Sequence, residues 1–414
     1  MSGGISSSVD VYVLRRILEA CGRPPVQLVL GRGPAISPQH SDPVGSICIR
    51  DRATLAELLM DPEVAFGDAY ADRRIELQGD LVSVLEAVYR AWPENPPGGW
   101  LARLFSGWLS LVQRPTLRRA RQNIHYHYDL GNDFYKLWLD RELVYTYTYF
   151  PTPRATLEQA QIAKMDHVCR KLCLRPGEKV VEAGCGWGSL ALHMARYYGV
   201  TVQAFNIAHE QIRYARERAA REGLDHRVEF IEDDYRNIRT RADVFASIGM
   251  LEHVGLENYD IFAEVIRRVA GDAGRGLLHF IGRNTPRPLS AWIRKRIFPG
   301  AYPPTLREAS RLFEPCDYSV LDVENLRLHY ARTLEHWLQR FENSYGRAAR
   351  MFDDTFLRAW RLYLAGSAVA FRTGSLQLFQ VLFAGRACDR IPWTRDHVYG
   401  RRDEESWSVA TSSS

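Results

Sequence analysis

The sequence has 414 residues, of which 46% are hydrophobic and 25% are charged. These fractions predict a folded globular protein of two or three domains and exclude a disordered chain. The formal net charge of +5 is too small to indicate nucleic acid as a partner, and we expect none. The seven cysteines lack the paired spacing of zinc sites, so we expect no metal and a reducing, cytoplasmic compartment. Neither a signal peptide nor a run of about eighteen apolar residues is visible.

The first region, residues 1–92, mixes helical and strand patterns. Apolar residues at helical spacing predict helices over Val11–Cys21, Thr54–Met60 and Leu81–Trp92. Short apolar runs predict strands over Val26–Leu30 and Ser46–Ile49. This mixture predicts a small α+β domain, and the region carries no catalytic motif of its own.

Residues 93–122 form a predicted linker that opens with a run rich in proline and glycine. The following segment, Trp100–Val112, repeats apolar residues at helical spacing and precedes a cluster of arginines. This pattern is typical of an amphipathic helix on an anionic membrane surface. It is equally typical of a helix that packs one domain on another, and the sequence leaves both interpretations open.

Strands and helices alternate from about residue 157 onward. Strands are predicted over Lys179–Glu182, Thr201–Phe205, Val228–Ile231, Val244–Ile248 and Leu277–Ile281. Helices are predicted over Leu157–Leu172, Ser189–Tyr198, Gln211–Glu222, Leu334–Asn343 and Thr355–Phe371, and a late strand over Leu376–Phe383. The alternation predicts a parallel sheet with helices on both faces. We place this domain at residues 123–395 and a flexible tail at 396–414.

Three glycines, Gly184, Gly186 and Gly188, lie between the first strand of this domain and its helix. Glycine adopts positive φ and lets a ligand approach the main chain. The pattern acid-x-Gly-x-Gly-x-Gly, with Glu182 as the acid, is the form used by S-adenosylmethionine (SAM) methyltransferases and differs from the dinucleotide fingerprint. The predicted fold is therefore α/β: a Rossmann-like, seven-stranded class I methyltransferase sheet with a helical cap and a small N-terminal α+β domain.

Polar residues follow the next strands of the sheet, where ligands bind in such folds. Asn206 and Gln211 stand where a carboxylate normally meets the ribose, and both can hydrogen-bond. Asp234 lies in an acidic run that either accepts from the adenine amino group or forms a solvated loop. Glu252 follows the fourth strand, and His279 lies on the fifth as either a core histidine or a catalytic one.

Taken in this order, the motifs resemble those of the cyclopropane-fatty-acyl-phospholipid synthases, relatives of the mycolic acid cyclopropane synthases. The similarity covers about residues 10 to 392. It rests on the runs 127–132, 184–188, 234–236, 249–255, 278–282 and 376–380, together with Gln211. The resemblance implies that the double bond of an unsaturated acyl chain attacks the SAM methyl group. The resulting carbocation loses a proton to a bound bicarbonate ion and closes a cyclopropane ring.

The resemblance also implies which residues act. Glu252, His279, Ile281 and Tyr330 match the bicarbonate-site residues of the family by position. The expected cofactor-binding residues are Tyr128, Gly131, Glu182, Gly184, Gly186, Gly188, Asn206, Gln211, Asp234, Tyr235 and Arg236. Tyr147 lies in an aromatic run, 145–150, that is interpreted as a lid or as a cap element, and it stands where the family usually has cysteine. This departure leaves the product open, because redirected proton loss gives a methyl branch or a methylene group.

The resemblance implies peripheral contact with a phospholipid membrane at its cytoplasmic face. It also implies an unsaturated acyl chain as substrate, an N-terminal domain that associates with lipid, and a homodimer as one option for assembly. Two alternatives stay open beside cyclopropane formation. One is a fatty-acid C-methyltransferase, and the other is a non-catalytic homologue that binds SAM or lipid.

Overall fold

The computed structural model describes residues 8–38, 42–92 and 130–400. Its helices are α1 (Ser8–Ala20), α2 (Arg52–Met60), α3 (Pro62–Ala71), α4 (Leu81–Ala91), α5 (Asn132–Tyr135), α6 (Leu157–Lys171), α7 (Ser189–Tyr198), α8 (His209–Arg221), α9 (Leu251–Val254), α10 (Tyr259–Ala270), α11 (Ala291–Arg296), α12 (Leu306–Ser310), α13 (Arg327–Asn343), α14 (Tyr345–Ala348), α15 (Asp354–Thr373) and α16 (Asp396–Tyr399). Its strands are β1 (Val26–Leu30), β2 (Gly45–Ile49), β3 (Ile75–Gln78), β4 (Lys179–Ala183), β5 (Thr201–Asn206), β6 (Val228–Glu232), β7 (Val244–Ile248), β8 (Arg275–Gly282), β9 (Ser319–Asn325) and β10 (Gln377–Ala384).

A three-stranded sheet and four helices form the N-terminal unit, residues 8–92. Strands β1 and β2 pair in parallel, and β3 pairs with β2 in the antiparallel direction. The sequence analysis missed α3 and β3. Two local signals mark the start of α3: the Asp61 side chain caps the helix by accepting from the amide of Val64, and Pro62 occupies its first turn.

The seven-stranded sheet has the order β6-β5-β4-β7-β8-β10-β9. Its first five strands run parallel, and β10 runs antiparallel to both β8 and β9. The predicted parallel sheet with a late reversed strand is therefore confirmed. Helices α6, α7 and α8 cover one face of the sheet, while α10 and the segment around α12 cover the other.

Helices α13 and α15 pack against one another and, together with α5, form the predicted helical cap. The aromatic core of the cap extends down to Trp187 in the glycine loop. Helix α13 begins at Arg327, seven residues before the predicted start at Leu334, and this additional part includes the buried residues Tyr330, Ala331 and Thr333. The packed, largely apolar side chains of the cap thus lie directly over the glycine loop.

The N-terminal unit contacts the cap through α3 and α4, which pack on α15. The buried Arg358 of α15 donates to the carbonyl oxygen of Tyr70 at 2.8 Å and to the carboxylate of Glu76 at 3.0 Å. Gly67 lies under Trp292, and a Cβ atom at this glycine would come within 2.4 Å of the indole ring. These contacts fix the unit to the cap at buried positions.

Some predicted features fall beyond the described ranges. The whole predicted linker 93–122, including its amphipathic segment Trp100–Val112, and Tyr128 lie outside the described residues. The predicted tail begins at 396, but Asp396–Tyr399 form α16, which packs on α6. The Arg170 side chain donates to the carbonyl oxygen of Gly400 at 2.7 Å. Among the helices described, none is long and apolar enough to cross a membrane.

Candidate active site

The glycine loop follows β4 and opens the site. All three glycines have positive φ, between +53° and +86°. A Cβ atom at Gly188 would come within 2.4 Å of the Phe230 ring, and one at Gly184 would come within 3.1 Å of Met250. A Cβ atom at Gly186 would meet no heavy atom within 4 Å. Two of the glycines therefore permit close packing, while the middle one borders open space.

A cavity lies beside this loop, at the carboxyl ends of the parallel strands, where ligands bind in open α/β sheets. It is lined by Gly184, Phe205, Asn206, Ile207, Asp233, Asp234, Tyr235, Arg236, Met250, His253, Val254 and Asn258. Five of the residues expected to bind the cofactor are in this lining: Gly184, Asn206, Asp234, Tyr235 and Arg236. The structure thus brings together residues that follow three different strands.

The polar side chains of the cavity are held by one another. The amide nitrogen of Asn206 donates to the side-chain oxygen of Gln211 at 2.7 Å, and its oxygen accepts from the amide of Ile207 at 2.8 Å. The Arg236 guanidinium donates to both carboxylate oxygens of Asp234, at 2.7 and 2.9 Å. The end of β5 therefore presents a neutral amide, and the end of β6 presents an acid that is already paired.

Glu182, the acid of the glycine motif, is buried beneath the loop with 2% of its surface exposed. Burial raises the pKa of Glu182 to about 7, against the opposing effect of Lys164. Lys164 is also buried, and burial lowers its pKa to about 8. Its ammonium group donates to the hydroxyl of Thr146 at 3.1 Å. Lys164 therefore connects the motif acid electrostatically to the aromatic run 145–150.

The approach to the loop is braced from the other side. Gly131, with φ of +82°, precedes α5. The next residue, Asn132, accepts a hydrogen bond from the indole nitrogen of Trp187 at 2.7 Å. The predicted cofactor residue Gly131 thus lies beside a contact that joins α5 to the glycine loop.

Glu252 and Ile281 meet at the edge of the sheet. One carboxylate oxygen of Glu252 accepts a hydrogen bond from the amide of Ile281. The other, Oε2, is buried without a hydrogen-bond partner among the described residues. Burial raises the pKa of Glu252 to about 7, although the Ile281 amide acts in the opposite direction. One oxygen is therefore used to position the group, and the other remains available for chemistry.

His279 and Tyr147 stack on one another with ring centroids 4.7 Å apart and planes inclined by 16°. Burial lowers the pKa of His279 well below its usual value, so the imidazole is neutral at neutral pH. Its Nδ1 atom has no hydrogen-bond partner in the described part of the chain. The Tyr147 hydroxyl accepts from the side-chain nitrogen of Gln380 at 2.8 Å. The phenol is thus held flat against the histidine.

Gln380 is a residue whose role the sequence analysis missed. It lies on β10 directly opposite His279 on β8, and its side chain is fully buried. The sequence analysis includes this glutamine in the motif run 376–380 but assigns it no role of its own. Its proximity to His279 depends on the register between two strands about a hundred residues apart, which no local pattern reveals.

Tyr330 lies on α13, inside the aromatic core of the cap. Its ring stacks on Phe371 with centroids 4.5 Å apart and meets Trp337 edge-on at 6.0 Å. Tyr147 belongs to the same cluster, and Ile281 packs against it. The structure therefore joins Glu252 to Ile281 and His279 to Tyr147 directly, while it relates Tyr330 to Tyr147 through this cluster.

The run 145–150 is fastened to its surroundings at several points. Tyr149 is sandwiched between His167 at 4.3 Å and His329 at 4.7 Å. The amide of Phe150 donates to Nδ1 of His329 at 3.0 Å, and the hydroxyls of Tyr145 and Tyr363 are 2.7 Å apart. These contacts to α6, α13 and α15 favour a fixed cap element over a closing lid.

Two family models match the chain. Mycolic acid cyclopropane synthetase matches residues 116–381, and Domain of unknown function (DUF7884) matches residues 25–93. The chain belongs to the mycolic acid cyclopropane synthetase family. The resemblance stated from the sequence is thereby confirmed, and the protein is a SAM-dependent enzyme of the methyltransferase class.

Individual relatives of the family cover most of the chain. A probable fatty acid methyltransferase of Pseudomonas putida is 34% identical over 375 residues, which span 86% of this chain and 92% of that protein. The cyclopropane-fatty-acyl-phospholipid synthase of Escherichia coli K12 is 39% identical over 329 residues, 79% of this chain and 84% of that protein. The mycolic acid cyclopropane synthase CmaA1, solved with SAH and CTAB, is 29% identical with a TM-score of 0.61. That match covers 66% of this chain and 99% of CmaA1.

The cavity of this family member fits a nucleoside cofactor. The open side of Gly186 leaves room at the main chain, and Asn206 offers a neutral hydrogen-bonding group beside it. Asp233 and Asp234 supply carboxylate acceptors at the end of β6. Gly184, Asn206, Asp234 and Tyr235 are thus the residues that would hold SAM, whose sulfonium group supplies an electrophilic methyl.

Proposed function

We propose that this enzyme adds one carbon from SAM to the double bond of an unsaturated fatty acyl chain carried by a phospholipid and closes it into a cyclopropane. The observation that carries the proposal is the Glu252 carboxyl group. It is buried, has one oxygen without a hydrogen-bond partner in the described ranges, and lies at the sheet edge that also carries His279. A titratable group kept in this state costs stability, and such groups cluster at functional sites.

The surroundings suit a reaction through a carbocation. An alkene is a weak nucleophile, so the enzyme has to orient it and stabilise the positive charge that develops. The rings of Tyr147, Tyr330 and Trp337 present aromatic faces and exclude water, and aromatic faces stabilise cations. The ionised form of Glu252 adds a negative charge at the same edge. The residues of this chain therefore provide orientation, a dry environment and charge complementarity.

A bicarbonate ion as the base is part of the proposal. It requires free hydrogen-bond acceptors and donors, and two buried atoms have no partner among the residues that the structure describes: Oε2 of Glu252 and Nδ1 of His279. The ionised Glu252 would accept from the hydroxyl group of bicarbonate, and a neutral imidazole donates from one nitrogen. The amide of Ile281 keeps Glu252 in position, and Tyr330 is the fourth proposed member of the set.

The setting of the reaction is proposed on the same resemblance. The protein would act at the cytoplasmic face of a phospholipid membrane, which it would meet peripherally, and a homodimer is one proposed assembly. Residues 1–92 would form a lipid-associated domain, 93–122 a linker with an amphipathic helix, and 123–395 the catalytic domain. The names of the relatives, a fatty acid methyltransferase and a fatty-acyl-phospholipid synthase, support an acyl-chain substrate.

A second product is favoured by a specific contact. Tyr147 replaces the usual cysteine, and Gln380 holds its phenol against His279. A phenol ring is much bulkier than a thiol, and at this position it changes the space next to the proposed base. If the proton is then lost from a different carbon, the same cation gives a methyl-branched or methylene product. The name of the Pseudomonas putida relative, a probable fatty acid methyltransferase, fits this alternative.

The experiment incubates the purified protein with SAM and vesicles of dioleoyl phosphatidylglycerol, followed by gas chromatography and mass spectrometry of the acyl chains. Cyclopropane formation adds one methylene and removes the double bond. A retained double bond, or a methyl branch, identifies the second product. An unchanged lipid profile with measurable SAM binding would refute both enzymatic proposals and support the non-catalytic homologue. The matched control is Glu252→Gln, which should bind SAM normally and lose turnover.

A further inference from the structure

Arg283 differs from the other buried arginines of the described ranges. Four arginines are buried there, and three of them pair with carboxylates: Arg275 with Glu178 at 2.7 Å, Arg358 with Glu76 at 3.0 Å, and Arg218 with Glu222 at 2.7 Å. Arg283 is 8% exposed and pairs with no carboxylate among the described residues. Within that described part of the chain its Nε atom has no hydrogen-bond partner, and its Nη1 atom makes one long contact of 3.5 Å to the carbonyl oxygen of Ser375.

The groups around Arg283 add positive charge. Burial lowers the pKa of Arg283 to about 10, and the nearby charge of Arg287 is the next largest cause. Arg287 is exposed and has no ion-pair partner in the described ranges. Glu63 has the smallest of the opposing effects on Arg283, and its carboxylate already accepts from the amide of Ala291 at 2.6 Å. Among the described residues, Glu63 is therefore the carboxylate that acts on Arg283, and its effect is weaker than that of the Arg287 charge.

A hydroxyl from the N-terminal unit completes the surroundings. Tyr89 of α4 lies within electrostatic reach of both arginines: desolvation raises the pKa of its hydroxyl, and Arg283 and Arg287 oppose that rise. The Tyr302 hydroxyl also acts on Arg283. Two guanidinium groups and a phenol are the donors that bind phosphate in proteins. A buried cation without a counter-charge is costly unless an anion is bound there.

The position of Arg283 relates this pocket to the reaction centre. Arg283 follows β8, and strand alternation places His279, Ile281 and Arg283 on one face. Four residues of strand separate His279 from Arg283 by about 13 Å. The double bond of a membrane lipid lies in the middle of its acyl chain, far from the phosphate. An anion at Arg283 would therefore lie well away from the reacting carbon, as the phosphate of a phospholipid lies away from the double bond of its acyl chain.

We propose that Arg283, together with Arg287 and the Tyr89 hydroxyl, binds the phosphodiester of the phospholipid whose acyl chain reacts beside Glu252 and His279. This inference rests on the proposed function and assigns its head-group site. The N-terminal unit contributes Tyr89, which gives that unit a direct part in substrate recognition. The guanidinium of Arg283 supplies charge, and its unpartnered Nε and the Arg287 side chain supply hydrogen-bond donors.

The binding experiment uses dihexanoyl phosphatidylglycerol, a saturated and monomeric lipid that cannot react. Calorimetry compares the full-length protein with Arg283→Gln, Arg283→Lys and a control, Arg175→Gln. Arg175 is an exposed arginine at the opposite, amino end of the sheet. We expect binding to weaken about tenfold in Arg283→Gln, to recover in part in Arg283→Lys, and to stay unchanged in Arg175→Gln. Equal binding by the wild type and Arg283→Gln would overturn the proposal.

Two further probes separate a lipid head group from a free anion. Inorganic phosphate shares the charge but lacks the glycerol ester, and dihexanoylglycerol lacks the phosphate. We expect both to bind at least tenfold more weakly than the phospholipid. Phosphate that binds as tightly as the lipid would identify a free-anion site and overturn the head-group assignment. Dihexanoylglycerol that binds equally well would show that the phosphate contributes nothing, with the same consequence.

Kinetics and stability complete the test. With vesicles of dioleoyl phosphatidylglycerol, Arg283→Gln should raise KM about tenfold and leave kcat near the wild-type value; with methyl oleate in detergent, both constants should be unchanged. Loss of both activities in parallel would overturn a role in head-group binding. The apo variant should melt at no lower temperature than the wild type, because it removes an unpaired buried charge; a clear drop would indicate a structural arginine instead. If the wild type binds the short-chain lipid through Arg283 but alkylates nothing, the proposed function fails while the anion site stands.

Discussion

Replacing Glu252 with glutamine removes one proton-binding group from the reaction centre and keeps its size and its acceptor for the Ile281 amide. Burial raises the pKa of this carboxyl to about 7, from an ordinary value of 4.5. Each pKa unit corresponds to about 1.4 kcal/mol, so the buried charge costs about 3 kcal/mol. The group's contribution to stability is complete below about pH 4.5 and is lost as the pH rises toward 7, because the unfolded chain ionises first.

The assay measures the free energy of unfolding of both proteins by denaturant titration at about pH 5 and about pH 8. The free energy of unfolding of the variant, relative to that of the wild type, should rise by about 2–3 kcal/mol between the lower and the higher pH. The new amide leaves one buried NH₂ group unpartnered, which costs about 1–3 kcal/mol at both pH values and cancels. Glu182, whose pKa is raised in the same way, titrates in both proteins and also cancels.

Activity should change in the opposite direction. Glu252→Gln should reduce turnover at least about a hundredfold, as expected when a charged group at a reaction centre is removed. A difference in unfolding free energy that does not vary with pH would refute the electrostatic reasoning, even if activity were lost. Near-normal turnover would remove Glu252 from the chemistry.

Three further predictions concern other parts of the site. Burial alone would raise the pKa of Glu324, but hydrogen bonding to His167 and the charge of Lys171 lower this pKa to about 2. Glu324→Gln should therefore lower the free energy of unfolding by about 2–3 kcal/mol at neutral pH. Urea titrations should show this loss shrinking as the pH falls toward 2. Gly186→Ala should cost only about 1–2 kcal/mol of backbone strain yet abolish SAM binding in calorimetry. Gly188→Ala should destabilise the protein far more, because its Cβ atom would overlap the Phe230 ring. Normal SAM binding by Gly186→Ala would contradict the assignment of the glycine loop to the cofactor site. Tyr147→Cys should shift the acyl products toward the cyclopropane in mass spectrometry, and an unchanged product ratio would exclude Tyr147 from product control.

Sequence patterns located the elements that are buried on both sides. The bounds predicted for β7 and α7 agree with the structure, because β7 is a fully buried run and α7 begins directly after the glycine loop. Strand β9 was missed, since it pairs only with β10 and leaves Val320, Leu321 and Val323 between 40% and 44% exposed. An edge strand of this kind lacks the clear alternation on which a prediction depends. Helix α10 was missed although its apolar residues do recur at helical spacing.

The residues of the site likewise include some that sequence motifs predicted and others that no local pattern predicted. Glu252, Ile281, His279 and Tyr147 could be predicted as site residues because each lies in a motif or in the aromatic run. The structure joins Glu252 to Ile281 and His279 to Tyr147. The roles of Gln380, which lies in the motif run 376–380, and of Arg283 have no such local signal. One depends on strand register and the other on the absence of a partner, and both properties arise only when distant segments meet.

The pairing of Arg358 with the N-terminal unit limits how this architecture can be shortened. Glu76, its acidic partner, lies 282 positions earlier in the chain, and the carbonyl oxygen of Tyr70 comes from the same unit. A chain cut back to residues 130–400 would keep the guanidinium and lose both acceptors. Because α3 and α4 of the first unit also pack on α15, such a chain would expose this face of the cap to water.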